Sequence, residues 1–149
     1  MLELQTISDR IEIDDLITRY TRAVDTLDWP LYDTVFTPDA TIDYTASGGK
    51  KGSRDEMRDW LAETLPMFST MQHYVCQKEV TLDGDTAEAR VYLMNPMAIN
   101  QPDGSAWRME VGGYYLHQLV RTPDGWRSRE LVEELAWDRK DWPARTRAT

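Results

Sequence analysis

The sequence predicts an α+β domain, with helices packed against one concave face of a mostly antiparallel sheet. Three observations carry that expectation. Apolar residues near the N-terminus recur with a helical period, later stretches alternate with a period of two, and the turns joining those stretches are too short for crossover helices.

The first helix is expected from Ile7 to Val24, where Ile13, Leu16, Ile17, Tyr20 and Val24 form the stripe of a helix lying on a core. A second, short helix should follow Asp28, a good N-cap, with Pro30 in its first turn. It would carry Tyr32, Val35 and Phe36 and end at the Thr37-Pro38-Asp39 break. Residues 40–45 read as a strand with Ile42 and Tyr44 on one face, and Gly48, Gly49 and Gly52 mark a loop. Ser53-Arg54-Asp55-Glu56 is a capping box that opens a third helix, whose stripe is Met57, Trp60, Leu61 and Leu65.

After Pro66 the pattern turns to β. Strands are expected at about 71–81, 86–97, 106–121 and 126–137. Asp83-Gly84-Asp85, Pro102-Asp103-Gly104 and Pro123-Asp124-Gly125 supply the turns between them. Gly112-Gly113 would permit a bend or bulge inside the third of these strands. The organisation read from the sequence is one domain over residues 1–137 and a tail over 138–149. That tail holds Arg139, Lys140, Arg145 and Arg147, and is either a loose end or an arm on a neighbouring subunit.

Composition narrows the function. The 149 residues are 41% hydrophobic and 29% charged, as in a soluble globular domain. A net charge of −9 disfavours nucleic acid, which needs a concentrated basic surface, and also disfavours an anionic membrane. The single cysteine, Cys76, cannot form an internal disulfide and is expected as a buried strand thiol, which fits a cytoplasmic protein. Two histidines and one cysteine, without ligand spacing, predict no metal site. With no phosphate loop, dinucleotide fingerprint or nucleophile elbow, the expected chemistry is acid–base catalysis without a cofactor.

Asp25 and His73 are the residues best suited to that chemistry. A carboxylate orienting an imidazole builds a base that works near neutral pH. Asp25 falls near a helix C-terminus, where its charge opposes the helix dipole by ~0.3–1 kcal/mol and calls for compensation.

The segments around these residues carry a family resemblance. They are Tyr20-Thr-Arg-Ala-Val-Asp25-Thr-Leu-Asp-Trp29, Phe36-Thr-Pro-Asp-Ala40, Ile42-Asp-Tyr44, Thr70-Met-Gln-His73 and Asp124-Gly-Trp126. In order and spacing, from about Ile11 to Trp137, the chain resembles the SnoaL-like branch of the nuclear transport factor 2-like superfamily. The likeness is strongest to the scytalone dehydratase and bile-acid dehydratase group. It implies a cone-shaped α+β barrel in which N-terminal helices pack on a strongly curved, mixed, mainly antiparallel sheet around one pocket. It also implies a homo-oligomer, a trimer rather than a dimer.

By this resemblance His73 is the catalytic base, Asp25 its partner, and Tyr20 and Tyr44 are catalytic phenols. Tyr20 matches the bile-acid dehydratase pattern, whereas Val24 stands where scytalone dehydratase has a tyrosine, which weakens the case for scytalone as substrate. Asn95 continues the inward face of Ala87, Ala89, Val91 and Leu93, and takes the place of a family aspartate. It would orient substrate without supplying charge. Tyr115 falls on an inward parity. Leu135 aligns with a family arginine, which weakens the case for a substrate with an anionic tail. Trp60 completes the expected substrate-binding set, and His117 is assigned a structural role. The activity implied is a cofactor-independent lyase of the dehydratase type, acting on a cyclic, largely apolar hydroxy-carbonyl compound such as a polyketide, aromatic or steroid-like molecule. An isomerase or cyclase using the same dyad, and a ligand-binding domain without turnover, are the alternatives.

Overall fold

The structure is a computed structural model and describes residues 1–141. Helix α1, Leu4–Thr26, buries Ile13, Leu16, Ile17, Tyr20, Ala23 and Val24, the stripe read from the sequence together with Ala23. It ends on Leu27, which takes the left-handed conformation (φ 56°) without being glycine. The Asp28 N–H closes the turn by donating to the Ala23 carbonyl at 2.9 Å.

Helix α2 is only Trp29–Asp33, capped by Asp28 Oδ1, which accepts from the Leu31 N–H at 3.0 Å. Val35 and Phe36 are therefore not helical, which corrects the expected extent. Strand β1, Phe36–Asp43, begins at Phe36 and runs through Pro38. Its register against the last strand jumps from Phe36↔Ser128 to Thr41↔Glu130. Pro38 sits inside that bulge, where its missing N–H breaks no ladder bond. Tyr44 lies just past the strand and is buried.

The glycine loop contains a single 3₁₀ turn (Thr45–Ser47) and a short strand β2, Lys51–Ser53, paired antiparallel to β1. Helix α3, Arg54–Thr64, opens with the capping box in place: Ser53 Oγ accepts from the Glu56 N–H, and Glu56 Oε2 accepts from the Ser53 N–H at 2.8 Å.

The remaining strands are β3 (Thr70–Met71), β4 (Tyr74–Asp83), β5 (Thr86–Asn100), β6 (Ala106–Thr122) and β7 (Gly125–Asp141). The sheet order is β2-β1-β7-β6-β5-β3, with β4 also paired to β5. Among these pairings only β1–β7 is parallel. The result is a mixed, mainly antiparallel sheet of the α+β class, with the helices packed on its curved inner face.

Three departures from the expected strands matter for the site. The strand expected at 71–81 is interrupted at Gln72-His73, which leaves His73 in a break between β3 and β4. In β4 the register slips between Val75 and Lys78. The slip turns Cys76 outward, so the thiol expected to be buried is exposed. Strand β7 reaches Asp141, so the first residues of the expected tail belong to the sheet; 142–149 lie outside the described residues. The Gly112-Gly113 bulge is present. The ladder steps from Gly112↔Trp137 to Gly113↔Leu135, and a Cβ at either glycine would overlap the Trp137 ring or the Glu134 carbonyl.

Candidate active site

The last turn of α1 carries Asp25 to the break between β3 and β4, where it holds His73 at two points. Asp25 Oδ1 lies 2.6 Å from His73 Nδ1, and Asp25 Oδ2 accepts from the His73 backbone N–H at 2.9 Å. These bonds supply the compensation that a carboxylate at a helix C-terminus requires. The carboxylate fixes the neutral tautomer with the proton on Nδ1 and the lone pair on Nε2. The Asn95 amide nitrogen lies 3.0 Å from that Nε2 and donates to it. Asn95 Oδ1 is then left buried and without a partner among the described residues.

Beside the imidazole is a wall of phenols. Tyr20, from the buried stripe of α1, and Tyr44, from the end of β1, place their hydroxyls 2.8 Å apart. Tyr115, on β6, packs edge-on against Tyr20 with ring centroids at 5.3 Å. Its ring also lies 6.4 Å from that of His73, at 30°. Burial pushes all three phenols well above the usual tyrosine range, so they remain neutral and able to donate.

These groups line one cavity of about 790 Å³, a volume that includes its open mouth. His73, Tyr20, Tyr44, Asn95, Tyr115 and Trp60 all contribute to its wall, while Asp25 stands behind His73. Leu135 is not among the lining residues. It pairs with Gly113 beside the β6–β7 bulge, and the strand contributes Glu133 to the cavity instead.

Glu133 is the functional candidate that the sequence reading missed. It is 6% exposed, and its Oε2 has no hydrogen-bond partner among the described residues. Burial raises its carboxyl above the usual range, partly offset by Ser47 and by attraction to His73. The signal lay in strand parity, but β7 bulges where Leu119↔Ser128 gives way to Gln118↔Glu130. Trp126 and Ser128 face inward before that bulge, and Leu131 and Glu133 after it. Simple alternation from Trp126 puts Glu133 on the wrong face.

His117, the second histidine, is buried outside this wall. Its Nδ1 lies 3.0 Å from Ser128 Oγ, and burial lowers its pKa to about 4, which keeps it neutral. Among the described residues, no three His, Cys, Asp or Glu side chains are grouped to hold a metal ion.

The helices on a curved mixed sheet, closed around one lined cavity, define a nuclear transport factor 2-like fold. Residues 5–132 match the SnoaL-like domain, and the chain belongs to that family. It is 41% identical over 136 residues to an uncharacterized protein of Mycobacterium tuberculosis, covering 89% of each chain. A Novosphingobium aromaticivorans structure, provisionally assigned as an aromatic ring hydroxylase, is similar at 29% identity and TM-score 0.80, over 90% of this chain and 94% of that one. At 16% identity, a hexachlorocyclohexane dehydrochlorinase of Novosphingobium barchaimii shares the fold alone, with TM-score 0.77 over 92% of each chain. A provisionally assigned scytalone dehydratase of N. aromaticivorans shares it likewise, at 16% identity and TM-score 0.77 over 97% of each chain.

Proposed function

We propose that this chain is a cofactor-independent lyase of the dehydratase type, acting on a cyclic, largely apolar hydroxy-carbonyl compound. The observation that carries the reading is the paired hold of Asp25 on His73, which leaves Nε2 as a base at the wall of the cavity. A substrate C–H beside a carbonyl displaces the Asn95 amide from Nε2 and gives its proton to His73. The C–H electrons form the new double bond as the C–O bond breaks. The proton on His73 then passes to the departing hydroxyl, which leaves as water. Tyr20 or Tyr44 donates to the carbonyl oxygen as enolate charge develops, a task suited to a neutral buried phenol. An isomerase or cyclase would share the first step. Dehydrochlorinase and dehydratase neighbours of the same fold are consistent with elimination.

Proton abstraction is testable before the substrate is known. Cyclic β-hydroxyketones incubated with the protein in D₂O should exchange their α-protons, as read by NMR, and His73→Ala should not support that exchange. Binding without exchange across the panel would instead favour the ligand-binding alternative.

The assembly proposed is a homotrimer in the cytoplasm. No described helix is long and apolar enough to cross a membrane. The outer face of the sheet exposes Tyr74, Tyr92, Met94 and Trp137, each 42–48% accessible, apolar surface of the kind that subunit contacts cover. Light scattering at micromolar concentration should give three times the chain mass; a monomer would refute the assembly.

A further inference from the structure

The cavity holds two buried acceptor oxygens that the described residues leave unused. Asn95 Oδ1 and Glu133 Oε2 belong to residues 5% and 6% exposed, both line the cavity, and neither has a hydrogen-bond partner among the described residues. They sit on β5 and β7, on either side of β6. Buried polar atoms are nearly always satisfied within a fold, so orphans facing a cavity mark bonds that a ligand completes. The orientation of Asn95 follows from its neighbour. With the proton of His73 on the Asp25 side, Nε2 requires a donor, so the Asn95 amide nitrogen faces the ring and its oxygen faces away.

The charge pattern points the same way. Among the described residues, no lysine or arginine lines the cavity, and Glu133 is the one carboxyl that does. Around Glu133 stand Tyr115 directly across on β6, Ser47 in the turn after β1, and His73 at the β3–β4 break. No described lysine or arginine stands in this wall to pair with an anion beside Glu133, whereas a hydroxyl would donate to the carboxyl whether or not it is ionised.

We propose that the cavity selects an uncharged ring compound bearing two hydrogen-bond donors, with Asn95 and Glu133 as their acceptors, and that Glu133 excludes anionic analogues. This rests on the ring-binding reading above and adds what the ring must carry. Glu133 is thereby a specificity-determining residue, and the base chemistry does not require it.

The test uses three matched probes in calorimetric titrations: a dihydroxynaphthalene, the corresponding naphthol and the corresponding hydroxynaphthoate. The wild-type protein should bind the diol about tenfold tighter than the naphthol, and the hydroxynaphthoate weakest of the three. Glu133→Gln keeps the size of the side chain and an acceptor oxygen but removes the charge. It should tighten hydroxynaphthoate binding by about tenfold while shifting the naphthol by no more than about twofold. If the wild-type protein bound hydroxynaphthoate as tightly as the diol, the proposal would fall without recourse to any variant. If all three bound with ratios indifferent to Glu133→Gln, the role of Glu133 alone would fall. If none bound, the ring-pocket reading would fail, and this proposal with it.

Discussion

Two polar clusters are buried in this molecule, and they are built to opposite rules. Near the N-terminus of α1, Asp9 accepts from both terminal nitrogens of Arg121 at 2.8 Å, from Trp126 Nε1 at 3.1 Å and from Gln5 at 3.0 Å. Arg121 also reaches Asp85 at 2.8 Å and lies over the Trp126 ring. Both carboxylate oxygens of Asp9 are used, and its pKa is held well below the usual carboxylate range, chiefly by Arg121. At the cavity, by contrast, Asn95 and Glu133 keep oxygens that no described residue uses, and the lone pair of His73 is engaged by an amide. The closed cluster ties α1 to the β6–β7 hairpin. The open one retains unmet bonding capacity, which is what a ligand needs to find.

The largest expected effect separates the two clusters. His73→Ala should lower turnover by ~100- to 10,000-fold, the usual worth of a general base, while still folding, because the backbone N–H of residue 73 keeps its bond to Asp25. Asp25→Asn should fall in the same direction, since it keeps the shape of the carboxylate but loses the counter-charge for an imidazolium. Once a substrate is in hand, near-normal rates in both variants would remove the dyad from the mechanism.

Asp9→Ala should do the reverse. It strips the partner from a buried ion pair, and such breaks cost ~3–5 kcal/mol. The lower end is expected, because Arg121 keeps Asp85 and its side chain is 29% exposed. Urea unfolding should show the loss, whereas turnover per folded molecule should hold. A variant as stable as the parent would mean that the cluster does not brace the fold.

His117 lies between the two clusters and tests how burial is distributed. Its folded pKa of about 4 lies below the ordinary 6.5, so the unfolded chain binds the proton first. The corresponding stability is fully present above the unfolded value and is lost as pH falls through this window, by up to ~3 kcal/mol. Asp9 does not contribute to this limb, because its own stabilisation fades only below its unfolded value of 3.8. Glu133 pulls the other way, since a raised carboxyl favours the fold on protonation. Denaturant titrations across the window should therefore compare the wild-type chain with His117→Gln, which should lack the acidic loss.

Legibility in the sequence divided along similar lines. The α1 stripe, the capping box and the inward run ending at Asn95 were readable, because each repeats a single period or a local motif without interruption. The reading fails where a bulge intervenes: at Cys76 and in β7, where it changes which residues face inward and hides Glu133, and at Pro38, where a strand runs through the expected break. Bulges arise from pairing between distant segments, so alternation within one strand cannot reveal them. The site candidates Asp25, His73, Tyr20 and Tyr44 came from helix position and family resemblance. The hydrogen bonds that join them, 48 residues apart in one pair and 24 in the other, were visible only in the folded chain.

The smallest expected effect concerns Tyr44. Its hydroxyl shares one hydrogen bond with Tyr20, both groups are buried, and each remains a neutral phenol. Tyr44→Phe deletes a single oxygen and leaves the ring in place, so stability should fall by only about 1 kcal/mol. The effect on turnover depends on which phenol faces the substrate. If Tyr44 relays through Tyr20, the remaining Tyr20 hydroxyl is freed to donate directly, and the rate should drop by about tenfold or less. If Tyr44 is itself the donor to the enolate oxygen, its loss should approach the ~100-fold or greater cost of removing an oxyanion-stabilising donor. Tyr20→Phe assayed in parallel assigns the roles, because the phenol that touches substrate is the one whose removal costs more. Equal and negligible losses in both would take the phenol pair out of the chemistry and leave it as a wall of the cavity.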